Sequence, residues 1–250
     1  MNTRATKRRI GVLGGMGPEA TVLLMARVVA MTSVDDDSDH VSMIVDNNTQ
    51  IPSRIKALIE KTGDDPGPIL ADMARGLETY GAEALAMPCN TAHHYAPVIE
   101  KAVDIPLLNM VQLAVSHLEA LDLTIRSVGI LASPAVQTTQ IFDHAFNSRN
   151  IKTLYPSDQD QMLDSIRTVK SNSSDGTARQ IMEKAARELI DSEADCLLVA
   201  CSELSIIADA LPTVIPCLDT IDILAQSIIE FAGARLRNND SRVALELKRA

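Results

Sequence analysis

One pattern occurs twice in this chain, and that repetition limits its fold more than any other feature. The segment RRIGVLGGMGPEATVLL (8–24) has a counterpart in RSVGILASPAVQTTQIF (126–142). Further on, GAEALAMPCNTAHHYAPVIEKAVDIPLLNM (81–110) is echoed by EADCLLVACSELSIIADALPTVIPCLDT (193–220). Gly11 thereby maps on Gly129, Cys89 on Cys201 and Pro106 on Pro216, at offsets of 118, 112 and 110. A period this long is the duplication of a lobe, not a solenoid repeat. Two similar lobes of about 110 residues follow, each of ordinary domain size.

Within the first copy, short β-rich runs alternate with helical periods. Arg9 to Leu13 reads as a buried strand, followed by the Gly-rich GGMGPEA turn and a helix through Met31. The acidic run Asp35 to Asp39 reads as a solvated loop, and Val41 to Val45 as a second strand. Pro66 to Tyr80 has the period of a helix ending at Gly81, and Ala84 to Met87 is a third strand. Strand–helix alternation of this kind predicts an α/β fold, a parallel sheet with helices on both faces.

Composition narrows the function. The chain has 250 residues, 46% of them hydrophobic, which excludes disorder. With three Phe, three Tyr and no Trp, it has no stacking platform for single-stranded nucleic acid. Thirty-three acidic against 23 basic side chains give a net charge of −10, unsuited to a phosphate backbone. No nucleic-acid partner is therefore expected. Met1 to Arg9 is polar and basic, and the apolar run after it is too short for a signal peptide. No stretch reaches the ~18–20 apolar residues of a membrane helix, so no membrane partner is expected either. The four cysteines, Cys89, Cys196, Cys201 and Cys217, include no CxxC pair, so no metal site is expected. Free thiols in a reducing cytoplasm fit this usage.

Cys89 and Cys201 each stand directly after a strand, where open parallel sheets bind their ligands. The residues that follow, Asn90 and Thr91 or Ser202 and Glu203, are helix-starting types able to accept from free amides. A cysteine at such a helix start is expected to gain thiolate character. Two thiols facing one cleft from opposite lobes would suit inversion of a stereocentre next to a carboxylate, one acting as base and the other as acid. A buried cysteine can equally be a small packing residue, the reading that suits Cys196 and Cys217, which lack matched surroundings.

The motifs GGMGPEAT, IPSR, MPCNTAHH and ACSEL, in this order, resemble those of the aspartate/glutamate racemase family, the cofactor-independent aspartate racemases in particular. The resemblance spans residues 8 to about 235. It implies two pseudo-symmetric doubly wound lobes with parallel sheets, a cleft between them and a catalytic cysteine, Cys89 or Cys201, in each. It further implies a homodimer and a C-terminal helix that returns to the first lobe. The lobes would then be 1–118 with 219–250, and 119–218. No cofactor is implied, and the expected ligand is a small, acidic amino acid.

The resemblance also assigns substrate-binding roles. Arg54 falls where the family's arginine grips a carboxylate, and a guanidinium fork suits that group. Lys170 resembles the lysine for a second carboxylate, while Asn90 and Thr91 resemble the group that holds the α-carboxylate. Met16 and Gln50 are wall and polar contacts, and Glu203 is placed to orient Cys201 or the ammonium. His93 and His94, one turn past Cys89, receive no role. One loop departs from the pattern: where relatives have a Thr/Gly-rich sequence this chain reads LASPAV, keeping only the hydroxyl of Ser133. The substrate need not be aspartate. A maleate-type cis–trans isomerase working through a covalent cysteine adduct is one alternative, and a binder of amino or dicarboxylic acids without turnover is another. A dinucleotide site is a third, although Gly11, Gly14, Gly15 and Gly17 do not fit GxGxxG. Arg235 to Ala250 is charged and helix-prone.

Overall fold

The computed structural model describes residues 7–121, 124–171, 176–212 and 214–237. Most of the tail, from 238 on, lies outside them. The first lobe runs β1 (Ile10–Gly14), α1 (Pro18–Met31), β2 (Met43–Asn47), α2 (Gly67–Thr79), β3 (Ala84–Ala86), α3 (Ala96–Glu100), β4 (Leu107–Leu108) and α4 (Met110–Ala120). The second runs β5 (Ser127–Ala132), α5 (Pro134–Thr139), α6 (Ile141–Asn147), β6 (Lys152–Leu154), α7 (Gln159–Lys170), α8 (Thr177–Asp191), β7 (Cys196–Ala200), α9 (Ser202–Ile206), β8 (Cys217–Asp219) and α10 (Thr220–Ala232). Both sheets are four-stranded and wholly parallel, ordered β2-β1-β3-β4 and β6-β5-β7-β8. The duplication read from the sequence is thus a duplication of topology.

Equivalent residues do equivalent work. Gly11 in β1 pairs with Leu85 of β3, and Gly129 in β5 pairs with Leu197 of β7. A Cβ at Gly11 would stand 2.9 Å from Ala82 Cβ and 3.0 Å from Leu77 Cβ. At Gly129 it would stand 2.9 Å from Leu197 Cδ2 and 3.0 Å from Leu189 Cβ. In each lobe, glycine lets a helix, α2 or α8, lie close on the central strand. Both helices after the first strand open on proline, Pro18 and Pro134, whose fixed φ and missing N–H suit the first turn. Along α1, Ala20, Leu24, Val28 and Met31 recur at helical spacing and form the buried stripe.

Two helices cross between the lobes. Ile221, Leu224, Ala225, Ile228 and Ile229 of α10 pack with Ile10, Val12, Leu24 and Ala86 of the first lobe. Reciprocally, Val111, Val115 and Leu118 of α4 pack with Val128, Ile130, Phe142 and Leu198 of the second. Burying each such side chain is worth about 1.5–3 kcal/mol, so each lobe's core depends on a helix supplied from the other side. After α10, Gly233 ends the helix in the left-handed conformation (φ 75°). The chain then turns back onto α1: Leu236 bridges Thr32, and Arg237 N–H donates to Met31 O at 2.8 Å. Arg235 to Arg237 are therefore not helical, because bonds to the end of α1 take up their backbone groups. Asp37–Asp39, within the acidic loop, forms a single 3₁₀ turn capped by Asp36. Among the described residues no helix is long and apolar enough to cross a membrane.

Candidate active site

The carboxyl end of β1 runs into a turn that only glycine can make. Gly15 has φ 91°, and a Cβ there would lie 2.2 Å from Asn48 O. The backbone beyond β2 thus presses against the very glycine that a nucleotide fingerprint would leave open for a pyrophosphate. Thr21 Oγ1 accepts from Gly15 N–H at 2.9 Å and donates to Gly17 O at 3.3 Å, so the turn is held by its own helix. No side chain caps α1, whose first residues open onto a cleft. The positive end of this helix dipole favours an anion there.

That cleft, of about 410 Å³, is lined by Gly15, Gly17, Glu19, Thr49, Ile51, Ser53, Arg54, Lys170 and Glu203, among others. Three of the six polar positions singled out as substrate contacts meet here, from both lobes. Arg54 Nη1 donates to Pro52 O at 3.0 Å, and the guanidinium makes no ion pair among the described residues. Lys170, the last residue of α7, pairs with Glu203 Oε1 at 3.3 Å. Gln50 is exposed and bonds only to its neighbours Asn48 and Thr49, so the lining passes through Thr49 and Ile51 instead. Met16 is buried, packed in the same apolar cluster as Cys89, Met87 and Ile51.

Both cysteines are 7% exposed, at the junction of the lobes. Ser202 Oγ donates to Pro88 O at 2.8 Å, joining the residue after one cysteine to the residue before the other. This bond keeps the two cysteine Cα atoms within roughly 12 Å. Asn90 Nδ2 donates to Thr220 Oγ1 at 2.9 Å, which in turn donates to Val199 O. Thr91 Oγ1 meets Ser133 Oγ at 2.9 Å. Asn90, Thr91 and Ser202 were expected to cap helix starts; instead their side chains bond across to the opposite lobe, and no side chain caps the turn after Cys89 or the start of α9. The LASPAV hydroxyl, Ser133, is one of these cross-lobe partners. Asn90 Oδ1 is buried without a hydrogen-bond partner.

The expectation of an acidified thiol is overturned at Cys201. Burial pushes its pKa well above the ordinary thiol range, and the charge of Glu203 pushes the same way. The thiol donates to Glu203 Oε2 at 3.3 Å. Amides of Glu203 and Leu204 pull in the other direction, but α9 has only five residues and its pull loses. Cys201 is therefore held as a thiol. Beside Cys89 stands His93, buried, with Nδ1 2.9 Å from Cys89 O and Nε2 accepting from Met110 N–H at 3.1 Å. Burial drives its pKa down to about 4, and the ring is neutral. Sequence reasoning set His93 aside; its matched position, Ser205, four residues past Cys201, was the available signal. His94 is exposed, edge-on to Tyr95. Cys196 is fully buried within β7, and Cys217 in β8 is pushed up to about 12 by burial and by Asp219 and Asp222. Among the described residues no three His, Cys, Asp or Glu side chains gather as a metal site.

With this geometry in hand, the chain can be placed among known proteins. The family model for Asp/Glu/Hydantoin racemase matches residues 13–228. The broad specificity amino-acid racemase RacX of Bacillus subtilis (strain 168) is 24% identical over 224 residues, 88% of this chain and 96% of its own. The structure of Picrophilus torridus aspartate racemase superposes with a TM-score of 0.83 at 31% identity, covering 95% of this chain and 98% of that one. Glutamate racemase from Francisella tularensis subsp. tularensis SCHU S4, solved in complex with D-glutamate, shares the fold at 16% identity. Its TM-score is 0.67, over 98% of this chain and 86% of that one. The chain belongs to the Asp/Glu/Hydantoin racemase family, a family of isomerases.

Proposed function

We propose that this protein is a cofactor-independent amino-acid racemase that acts on aspartate or glutamate by proton transfer between Cys89 and Cys201. The observation that carries the reading is the bond from Ser202 to Pro88, which ties two cysteine-bearing strand ends together beside a cleft holding Arg54, Lys170 and Glu203. The activities for which similar proteins are named, aspartate racemase and broad specificity amino-acid racemase, support it.

The chemistry divides between the lobes. Cys201, kept protonated by burial and by Glu203, is the acid of the resting site. Cys89, as thiolate, takes the α-proton from one face of the substrate. The Cys201 thiol then gives its proton to the other face, leaving thiol at Cys89 and thiolate at Cys201. A carbanion beside a carboxylate needs positive charge to form at all. Arg54, the N-terminus of α1 and the retained substrate ammonium supply it, and Lys170 takes a second carboxylate by leaving Glu203. The freed Glu203 carboxylate then faces the ammonium.

The test is proton NMR of the protein with L-aspartate, L-glutamate and other amino acids in deuterated buffer without added cofactor, with chiral chromatography in parallel. Loss of the α-proton signal together with appearance of the D-enantiomer is the expected result. Conversion of maleate with no exchange into any amino acid would replace racemisation by cis–trans isomerisation.

A further inference from the structure

We propose that His93 is a positioning residue for Cys89, a two-sided clamp that fixes the turn carrying the thiol to the first residue of α4. The proposal rests on the reading of Cys89 as a proton-transferring thiol. Its geometry stands independently. Met110 N–H is a donor, so the ring atom receiving it, Nε2, carries no hydrogen. Nδ1 must then hold the proton and donate it to Cys89 O at 2.9 Å. Both ring nitrogens are thereby used, one as donor and one as acceptor, in a residue 5% exposed.

The clamp carries past the strand ends the register that the pairs Leu85 with Leu107 and Ala86 with Leu108 set between β3 and β4, and it does so at the Cys89 carbonyl itself. The turn after β3 is a 3₁₀ segment (Thr91–Tyr95) with no side-chain cap, and Cys89 N–H is bonded only two residues back, to Met87 O. Met110, by contrast, begins the helix whose far side is seated in the second lobe's core. Asn109 already caps Val111 and Gln112, so the N–H of Met110 needs a separate acceptor, and His93 is it. The imidazole thus transfers the fixed position of α4 to the Cys89 carbonyl.

In the second lobe the same position is Ser205, whose hydroxyl donates to Asp219 Oδ1 at 2.8 Å and reaches Cys201 O at 3.4 Å. Asp219 stands where the first lobe has Asn109 and caps α10. Both thiols therefore have a side chain four residues on that links their own carbonyl to the start of a lobe-crossing helix. Only the first uses a ring with two fixed contacts.

The experiment uses His93→Leu and His93→Asn in the full chain, with L-aspartate as substrate and iodoacetamide as a thiol probe read by peptide mass spectrometry. Leucine fills the space and makes neither bond; the asparagine carboxamide can offer an N–H and a carbonyl. The expected result for His93→Leu is a fall in kcat of about tenfold or more with KM little changed. Its Cys89 alkylation rate should also change several-fold against an unchanged rate at Cys201, with partial recovery of both in His93→Asn. A folded His93→Leu with wild-type kcat and wild-type Cys89 alkylation overturns the clamp. If neither variant folds, imidazole nitrogen NMR of the wild type decides: a neutral Nδ1–H ring at pH 6 supports it, and an Nε2–H or charged ring removes it. Cys89→Ser separates the two layers. Full racemisation in that variant breaks the reading of Cys89, while the alkylation arm, which needs no substrate, still tests the clamp.

Discussion

The turn after β3 and the turn after β7 occupy the same place in two copies of one fold, yet they surround their cysteines with opposite chemistry. Cys89 is followed by Asn90, Thr91 and His93, all neutral, and the helix beyond is capped by Asn109. Cys201 is followed by Ser202, Glu203 and Ser205, and the corresponding cap is Asp219. Duplication kept the strand order, the close-approach glycine and the thiol. It changed the polar groups within a few residues of each thiol. A symmetric pair of thiols would have no preferred resting state. Placing Glu203 beside the buried Cys201, with no counterpart beside Cys89, gives the proton a home at Cys201, because a negative neighbour disfavours a second negative charge.

The largest effects come from removing either thiol. Cys89→Ser and Cys201→Ser should each lower racemisation by about 10²–10⁴-fold, since a hydroxyl is a far weaker base and acid at neutral pH. Full activity in either variant, measured by chiral chromatography, would end the two-base scheme and with it the division of labour drawn above.

Next in size is an opposition in pH dependence. His93 has a folded pKa of about 4 against 6.5 unfolded, so the unfolded chain binds more protons between those values. Its contribution is present above about pH 6.5 and is lost as pH falls towards 4, to the extent of about 3 kcal/mol. Asp219 runs the other way: burial and Asp222 raise it to about 7 from 3.8, despite its bonds to Ile221 and Ser205 and the charge of Arg27. Its contribution is present below pH 3.8 and is lost as pH rises through 7. Urea unfolding between pH 4 and 7 should show the slope of stability against pH shifted downward in His93→Asn, which loses the rising contribution, and upward in Asp219→Asn, which loses the falling one. A slope change of the same sign in both variants would end the opposition between the two turns.

Arg54→Ala should cost about 1.5–3 kcal/mol of binding to a carboxylate substrate, roughly 10- to 150-fold in kcat/KM. Cys89 alkylation should not move, because Arg54 lines the cleft and is bonded only to Pro52 O. A change confined to Cys89 reactivity would shift Arg54 from the ligand to the thiol.

Much of the scaffold is legible in the sequence because its causes are local. Pro18 opens α1, Gly129 permits close packing on β5, and Gly81 follows the end of α2; each acts through its own backbone. The residues at the site are legible in type but not in partner. Asn90, Thr91 and Ser202 carry groups that suit a helix start, and nothing in the chain says that Thr220, Ser133 and Pro88 will lie closer. The exchange of α4 is hidden for the same reason. Its apolar stripe fits either sheet, and which sheet it covers is decided by the folded arrangement of both. The thiol at Cys201 is the least legible, because its helix start favours thiolate while burial and the Glu203 carboxylate oppose it and win.

The smallest effect tests whether the cross-lobe hydroxyl pair belongs to the scaffold or to the ligand. Thr91 and Ser133 spend their side-chain hydrogen bonds on each other at 2.9 Å, and both are buried. Where the first lobe has Gly15, Met16 and Gly17 between strand and helix, the second has Ser133 alone. The shorter turn brings a hydroxyl, not a glycine backbone, to the junction. As a scaffold bond it should couple Thr91→Val and Ser133→Ala by about 0.5–1.5 kcal/mol in a double-mutant cycle of unfolding free energy. KM for the amino acid would then be unaltered in Ser133→Ala. If the hydroxyls instead turn to the substrate when it binds, unfolding coupling stays but KM rises in both single variants by similar factors. The second lobe would then meet the ligand with a side chain where the first meets it with backbone amides, and the asymmetry of the thiols would extend to the grip on the substrate.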